Sequence, residues 1–248
     1  MRKELKGVAA SARGPRISHL FFADDSLIFC KATKKEGAEV QRILQVYESS
    51  SGQQLNRNKT ALFFSCNTPT RTQEVIKSMF GAQVIKPHES YLGLPSLIGK
   101  SKKNTFAQLK QKLPSKLAVW KEKLLSNVGK EVLIKVVAQA VPSYTMSCFK
   151  LPNELYEEMT RMVRQFWWGQ VKNEKKVAWM SWERTCRLKE EWGLGFRDLK
   201  SFNLALLTKQ GWRLQTNSSS LFSWVYKAKY FPNGDFVEVE VGKKASFA

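Results

Sequence analysis

Two adjacent carboxylates, Asp24 and Asp25, lie inside an otherwise apolar run of a chain that contains only four aspartates. The β-forming residues at 19–22 and 26–30 predict a hairpin with the two acids at its tip. Aspartate is a common turn residue, so turn formation alone is one interpretation of the pair. The apolar arms are expected to be buried, which makes two carboxylates at their junction costly unless a cation joins them. The second interpretation is therefore a site for a divalent cation with oxygen ligands, such as Mg²⁺.

The elements that follow would hold this hairpin in place. Apolar residues recur at the spacing of an amphipathic helix, namely Val40, Ile43, Leu44 and Tyr47, and Gly52 predicts the end of that helix. Residues 60–65 then predict a strand. The order hairpin, helix, strand indicates an α+β unit in which the helix backs a small antiparallel sheet.

Three segments, which are the turn at Asp24 and Asp25, residues 51–60 and residues 91–95, together resemble the palm of reverse transcriptases, specifically those of plant non-LTR (LINE-type) retrotransposons. The aromatic-Ala-Asp-Asp turn at Asp24 and Asp25 resembles the third conserved palm motif. Residues 51–60 resemble the next motif, in which a Ser-Gly, an Asn and a Lys-Ser/Thr recur in this order. Residues 91–95 resemble the Tyr-Leu-Gly block of the same family, and the resemblance covers roughly residues 15–245.

The resemblance implies roles for particular residues. Asp24 and Asp25 would bind Mg²⁺ for two-metal nucleotidyl transfer, and Lys59 would assist the pyrophosphate leaving group. For Lys59, a solvated lysine at a strand edge is an equally weighted alternative. The residues implied as a primer grip are Tyr91, Leu92 and Gly93.

The charge of the chain points to a polyanion as its partner. Lys and Arg number 41 against 21 Asp and Glu, which gives a formal charge of +20 and a pI near 9.9. Such an excess predicts nucleic acid first and an acidic membrane second. The positive charge is densest between residues 100 and 135, which include ten lysines and only two glutamates. The ten are Lys100, Lys102, Lys103, Lys110, Lys112, Lys116, Lys121, Lys123, Lys130 and Lys135. A solvated surface is the ordinary interpretation of a charge run, but so many uncompensated lysines favour phosphate contacts.

These lysines alternate with apolar residues at helical spacing. One predicted packed face carries Phe106, Leu109 and Leu113, and Pro114 is expected to restart the helix. A later stripe is predicted from Leu133, Val136, Val137 and Ala140, and another from Leu155, Met159, Met162, Val163 and Phe166. The family resemblance identifies the basic helices with the thumb beside the primer-template. Tryptophans in the C-terminal region could stack on bases, but their spacing favours a place in the core.

The expected organisation has four regions. Residues 1–16 form a basic leader, 17–98 a partial palm, 99–150 a helical basic thumb, and 151–248 a helical, Trp-rich C-terminal region. The predicted fold class is therefore α+β, with a partial polymerase palm followed by mostly helical regions.

Part of a complete polymerase is missing from these residues. The resemblance calls for a third metal-binding carboxylate and for nucleotide-holding fingers, whereas the only acid before Asp24 is Glu4. We therefore expect a reverse transcriptase fragment that is inactive alone, with RNA template, DNA primer and a missing upstream palm segment as its partners. The alternatives are a non-catalytic basic module that binds RNA or an RNA–DNA hybrid, and a retroelement relic.

The remaining sequence signals concern location and thiols. The basic, polar N-terminus does not resemble a signal peptide and no apolar run is long enough to span a membrane, so an intracellular protein without a membrane partner is expected. Work at chromosomal DNA, implied by the resemblance, suggests the nucleus. The four cysteines lie far apart and are expected to be free thiols.

Overall fold

The computed structural model describes residues 5–9, 11–12, 14–84, 90–91, 93–95, 106–121, 125–169 and 177–238. The chain divides into two compact units. The first unit is drawn from residues 1–89 and 217–240, and the second centres on residues 90–216. The mixture of many helices with a few short strands is compatible with the α+β class. No helix in these ranges combines the length and apolar character that a membrane span requires.

The first unit opens with two short antiparallel hairpins. They pair β1 (Val8–Ala9) with β2 (Arg16–Ile17), and β3 (His19–Phe22) with β4 (Asp25–Ile28). In the second hairpin Phe22 pairs with Asp25, so Ala23 and Asp24 form a two-residue turn, and Ala23 adopts a φ of 48°. The predicted hairpin with the acid pair at its tip is confirmed.

The predicted helix after the hairpin is confirmed as α1 (Lys34–Ser51). Thr33 caps its N-terminus by accepting a hydrogen bond from the Glu36 amide at 3.3 Å. Gly52 ends it with a φ of 69°, and its amide donates to the Glu48 carbonyl at 3.1 Å. A glycine suits this position because its φ lies in the left-handed region.

The packed face of α1 differs from the predicted stripe. Val40 is buried and Leu44 half-buried, as expected, but Ile43 and Tyr47 are exposed. The packed side includes Gly37, where an added Cβ would lie 3.5 Å from Met79. Met79 belongs to α2 (Thr70–Phe80), a helix that was not predicted from the sequence. Because α1 packs against α2, its buried face is turned toward Gly37.

The predicted small antiparallel sheet behind α1 is wrong. Within residues 60–65 the strand is only β5 (Ala61–Leu62), and it pairs in parallel with β6 (Gln83–Val84). A parallel pair needs a crossover connection, which α2 provides. The strands in the described ranges make four separate two-stranded sheets. A further helix, α9 (Leu221–Tyr230), belongs to the first unit and is capped by Ser220.

The second unit is mainly helical. It begins with the hairpin of β7 (Ser90–Tyr91) and β8 (Leu94–Pro95). Its helices are α3 (Ala107–Lys121), α4 (Asn127–Leu133), α5 (Ser143–Cys148), α6 (Asn153–Trp167), α7 (Trp182–Thr185) and α8 (Leu199–Thr216), with a π-helical turn at Ile134–Ala138 and a 3₁₀ turn at Lys189–Glu191. One apolar core joins them, and it includes Phe106, Leu109, Leu113, Leu117, Ile134, Met146, Met159, Val163, Phe166 and Phe196. The stripes predicted around Leu109 and Met159 are therefore confirmed.

Pro114 does not restart the helix as predicted, because α3 runs through it without a break. Its side chain is exposed, and the ring removes the amide that would donate to the Lys110 carbonyl one turn earlier. We expect Pro114→Ala to raise the free energy of unfolding by about 1 to 3 kcal/mol, because alanine restores that bond and removes the ring clash. Urea unfolding followed by circular dichroism measures this change. Ser115→Ala is the control and should change stability by less than about 0.5 kcal/mol, whereas a less stable Pro114→Ala variant would contradict the continuous helix.

The stripe predicted at Leu133, Val136, Val137 and Ala140 is confirmed only in part. Leu133 packs half-buried against the core, but Ile134 and Ala138 are the buried residues there, and Val136 and Ala140 are exposed. The Gln139 amide donates to the Ile134 carbonyl at 2.9 Å, five residues back, which is the π-helical pattern. The buried residues Ile134 and Ala138 lie at the two ends of this turn, one position later than the predicted Leu133 and Val137.

A buried amide ties several helices of the second unit together. Asn203 on α8 is 1% exposed. Its Oδ1 accepts from the Leu151 amide at 3.0 Å and from the Tyr156 hydroxyl. Its Nδ2 donates to the carbonyls of Met146 at 2.6 Å and Phe149 at 3.0 Å. One side chain therefore satisfies polar groups on α5, on α6 and in the segment between them.

Candidate functional site

The acid hairpin, formed by β3 and β4, presents its carboxylates to solvent. Asp24 lies in the turn, Asp25 is the first residue of β4, and both are exposed. The expectation of buried arms is wrong for β3, where Phe21 and Phe22 are 69% and 64% exposed. Among the described residues, the hairpin is a sheet of two strands with no further strand paired to it. Desolvation therefore gives no reason for a cation at the turn, and the carboxylate oxygens are accessible.

The donor set of the acid hairpin fits a magnesium ion in kind. Mg²⁺ is commonly held by one or two carboxylates, with water and substrate phosphates completing the shell. Asp24 and Asp25 supply two such carboxylates on consecutive residues. Among the described residues, no group of three or more His, Cys, Asp and Glu side chains is placed to hold a metal. The hairpin by itself is therefore a two-carboxylate site.

The segment resembling the next palm motif forms a polar loop after α1. The Asn56 Oδ1 accepts from the amides of Asn58 at 3.1 Å and Lys59 at 3.2 Å, and the Glu48 Oε1 accepts from the Leu55 amide at 2.9 Å. Lys59 is exposed. The hydrogen bonds made by Asn56 and Glu48 fix the loop backbone. Among the described residues, which include Asp24 and Asp25, no carboxylate of that pair forms an ion pair with the Lys59 ammonium.

This loop borders an open cleft that the sequence analysis did not predict. Its volume is about 850 Å³. It is lined by Gln45, Glu48, Ser49, Gly52, Gln54, Leu55, Asn56, Arg57 and Asn58. The only sequence signal was the concentration of amide side chains at 53–58, which offers hydrogen-bond donors and acceptors without a defined chemistry.

The implied primer grip lies on the hairpin of β7 and β8. Tyr91 pairs with Leu94, and Gly93 adopts a φ of 77° in the connecting turn. The positive φ favours glycine at this position. Leu92 lies outside the described residues. The backbone pairing of β7 with β8 therefore places Tyr91 and Gly93 on one hairpin.

Five of the ten predicted lysines can be placed with their side chains. Lys112 and Lys116 are exposed and four residues apart on α3, a helix without any acidic residue. Lys110 on the same helix pairs with Glu158 on α6 at 2.9 Å. Lys130 is half-buried. The positions outside the described ranges are Lys100, Lys102, Lys103 and Lys123, and the side chain of Lys121 is also outside them.

The fifth, Lys135, is held in a local ion-pair cluster. Its ammonium lies 2.7 Å from Glu131 and 5.9 Å from the centroid of the Phe196 ring. Lys189 pairs with the same carboxylate at 2.9 Å. Hydrogen bonds from Lys135 and Lys189 lower the pKa of Glu131, because they stabilise its ionised form. Lys135 therefore has a structural role in the second unit, whereas Lys112 and Lys116 face solvent.

The expectation that the C-terminal tryptophans belong to the core is confirmed only in part. Trp182 is buried and stacks on Phe196, with 5.5 Å between ring centroids. Trp179, Trp192 and Trp212 are 88%, 81% and 65% exposed. These three indole side chains therefore leave most of their apolar surface exposed to solvent.

Two of the cysteines, Cys30 and Cys186, are not activated nucleophiles. All four are free thiols, as predicted. Burial raises the pKa of Cys186 to about 11, and the nearby Asp198 carboxylate contributes in the same direction. Burial also raises the pKa of Cys30. A raised pKa keeps a thiol protonated and weakly nucleophilic.

Comparison with known proteins gives two relatives, and no protein-family model matches the chain. The uncharacterized mitochondrial protein AtMg00310 of Arabidopsis thaliana is 41% identical over 110 residues, which cover 44% of this chain and 71% of that protein. The putative ribonuclease H protein At1g65750 of Arabidopsis thaliana is 36% identical over 137 residues, which cover 55% of this chain but 22% of that protein. At this identity and coverage, the chain belongs to the same family as the uncharacterized mitochondrial protein AtMg00310.

Proposed function

We propose that the chain is a fragment of a non-LTR retroelement reverse transcriptase that binds an RNA template and DNA primer through the basic face of α3. The observation that carries the proposal is the exposure of Lys112 and Lys116 on a helix without acidic residues, in a chain of net charge +20. Lysines in such a row contact phosphates, release counterions and position a duplex without reading its sequence.

The relatives support a retroelement origin at a coarser level. The name of the second relative, a putative ribonuclease H protein, is that of an enzyme acting on RNA, and the chain corresponds to 22% of that longer protein. The first relative is uncharacterized and adds no activity. The assignment to a reverse transcriptase rests on the motifs at Asp24–Asp25, at 51–60 and at 91–95.

In this proposal the acid hairpin contributes the metal site. Asp24 and Asp25 would hold Mg²⁺, which would neutralise phosphate charge at the primer terminus. Lys59, exposed in the loop after α1, would neutralise charge on the pyrophosphate. Since only Glu4 precedes Asp24 in these residues, they supply no third palm carboxylate, and the proposed activity of the chain alone is binding rather than polymerisation.

The metal part of the proposal predicts a magnesium effect on binding. We expect millimolar Mg²⁺ to strengthen the binding of an RNA–DNA hybrid by the wild type more than by the Asp24→Asn/Asp25→Asn variant. The difference should be about threefold to tenfold in affinity, since one exposed ionic contact contributes about 1 kcal/mol. Fluorescence anisotropy with Mg²⁺ or with EDTA at matched ionic strength measures it.

The matched control for the acid pair is Glu190→Gln/Glu191→Gln. It removes two adjacent exposed carboxylates from the 3₁₀ turn, so its change in net charge is the same. The control should keep the magnesium effect of the wild type. An equal magnesium effect in all three proteins would refute a metal site at the hairpin.

A primer-extension assay tests the absence of polymerisation. The purified chain should give no template-dependent extension with deoxynucleotides and Mg²⁺, because the third carboxylate and the fingers are not among its residues. Clear extension that is lost in Asp24→Asn would show that the hairpin acts within a complete active site, and would overturn the fragment proposal.

The proposed compartment is the nucleus, where a retroelement enzyme reaches chromosomal DNA. The first relative is named as a mitochondrial protein, so the mitochondrion is the competing location. Imaging of a fluorescent fusion in plant cells, with markers for both compartments, distinguishes the two.

A further inference from the structure

Helix α8 carries apolar side chains on the side that faces away from the core. Leu199, Asn203 and Leu214 are buried on one side of the helix. On the opposite side lie Trp212 and Leu204, 65% and 62% exposed. At 100° per residue, Trp212 falls near the middle of this outward face, with Ala205 and Thr208 one or two turns before it. A large indole is therefore held on a rigid helix and open to solvent.

The charged side chains of α8 are all cationic. Lys209 is exposed three residues before Trp212, and Arg213, which follows Trp212 directly, is exposed and donates a hydrogen bond to Gln210 at 3.0 Å. Helix α8 has a third cation, Lys200, and no carboxylate between Leu199 and Thr216. The nearest acid in sequence, Asp198, caps the helix by accepting from the Ser201 amide at 2.8 Å. Asp198 is fourteen residues from Trp212, or roughly 20 Å along the helix axis.

The other exposed tryptophans of the second unit lack this setting. Trp192 directly follows Glu190 and Glu191, whose carboxylates would repel a phosphate backbone. Trp179 lies in an irregular segment rather than on a helix, and although Lys175 and Lys176 precede it in sequence, Glu183 follows it four residues later. Among these three tryptophans, only Trp212 lies on a helix that carries cations and no acid.

We propose that the outward face of α8 is a stacking platform for an unpaired base of single-stranded nucleic acid. The Trp212 indole would stack on the base while Lys209 and Arg213 contact the adjacent phosphates. An indole on a convex helix cannot reach the face of a base inside a duplex, so the bound strand must be single. This inference deepens the proposed function and rests on it, since it adds a contact for unpaired template beyond the duplex bound at α3.

An abasic strand separates stacking from charge. We compare binding of oligo(dT) of about 15 nucleotides, within the range of site sizes for single-strand binders, with an abasic oligomer carrying the same number of phosphates. Trp212→Ala should weaken binding of oligo(dT) roughly fivefold to a hundredfold and change abasic binding less than about twofold. Trp212→Phe should retain most of the affinity, because it keeps an aromatic ring.

Two further variants complete the test. Lys209→Gln should weaken both oligomers alike and lower the salt dependence of both, because it removes a phosphate contact. Trp192→Ala removes an exposed tryptophan outside the platform and should leave both affinities unchanged. Oligo(U) in place of oligo(dT) shows whether RNA and DNA are bound alike.

The outcomes separate the two proposals. If the wild type binds hybrid duplex but Trp212→Ala leaves oligo(dT) binding unchanged, or weakens both oligomers equally, the stacking platform is overturned and the function at α3 stands. If the wild type binds neither duplex nor single strands, both proposals fall. Normal circular dichroism and Trp212→Phe binding near that of the wild type exclude misfolding as the cause of a loss in Trp212→Ala.

Discussion

Replacing Asn203 by leucine is expected to lower the free energy of unfolding by about 3 to 5 kcal/mol, because it breaks a buried polar network. The side chain has nearly the same size, so the loss is mainly one of hydrogen bonds. Four buried or half-buried groups would lose the Asn203 side chain as their hydrogen-bond partner. They are the Leu151 amide, the Tyr156 hydroxyl and the carbonyls of Met146 and Phe149. Urea unfolding followed by circular dichroism gives the change in free energy.

Two companions make this test specific to the network. Tyr156→Phe removes one of the four bonds and should lower stability by about 1 kcal/mol. Thr208→Val changes an exposed residue on the same helix and should have an effect within about 0.5 kcal/mol. An Asn203→Leu variant as stable as Thr208→Val would show that the amide does not hold α5, α6 and α8 together.

Reversing the two exposed charges on α3 is expected to have the largest effect on binding. Lys112→Glu/Lys116→Glu should weaken binding of an RNA–DNA hybrid by roughly tenfold to a hundredfold near physiological salt. Each phosphate contact normally releases about one counterion, and this favourable release is lost with the contact. Both side chains face solvent, so the fold should be unaffected. Fluorescence anisotropy with a labelled hybrid measures the affinity.

The matched control reverses two lysines outside the proposed interface. Lys34 and Lys35 are exposed at the start of α1 in the first unit, and their reversal changes the net charge by the same amount. We expect this variant to lose much less affinity than the α3 variant. If the two losses are equal, binding follows the net charge of +20 and α3 is not a particular interface.

The sequence predicted those elements whose signals are local. The hairpin at Asp24 and Asp25 follows from β-forming residues on either side of a turn, and α1 from its apolar spacing and the stop at Gly52. The face that α1 buries could not be predicted, because it depends on α2, whose Met79 lies against Gly37. Periodicity identifies a helix, but the partner helix selects which of its apolar residues are covered.

The wrong predictions in the second unit also concern features that local sequence patterns do not encode. The residues buried around the π-helical turn, Ile134 and Ala138, lie one position later than predicted, and α-helical spacing does not predict such a turn. Pro114 predicts a break, yet the buried Leu113 and Leu117 on either side keep α3 continuous. Tertiary packing outweighs the local preference of a single residue here.

For the candidate sites, residue types were predictable and surroundings were not. The acid pair was found from sequence, but its exposure was not, since the arms of the hairpin are apolar. The prediction of a uniform lysine face did not anticipate that Lys135 shares Glu131 with Lys189, a residue 58 positions from that carboxylate. Ion pairs between distant segments decide which lysines remain available to a ligand.

Binding of a nucleic-acid backbone by the wild type is best measured by a salt titration with an RNA–DNA hybrid. The logarithm of the affinity should fall linearly with the logarithm of the salt concentration, with a slope of roughly −3 or steeper, as expected for several phosphate contacts. Unlabelled hybrid should also compete far better than polyglutamate of equal charge. No measurable binding at low salt, or equal competition by polyglutamate, would show that the chain does not bind nucleic acid as proposed.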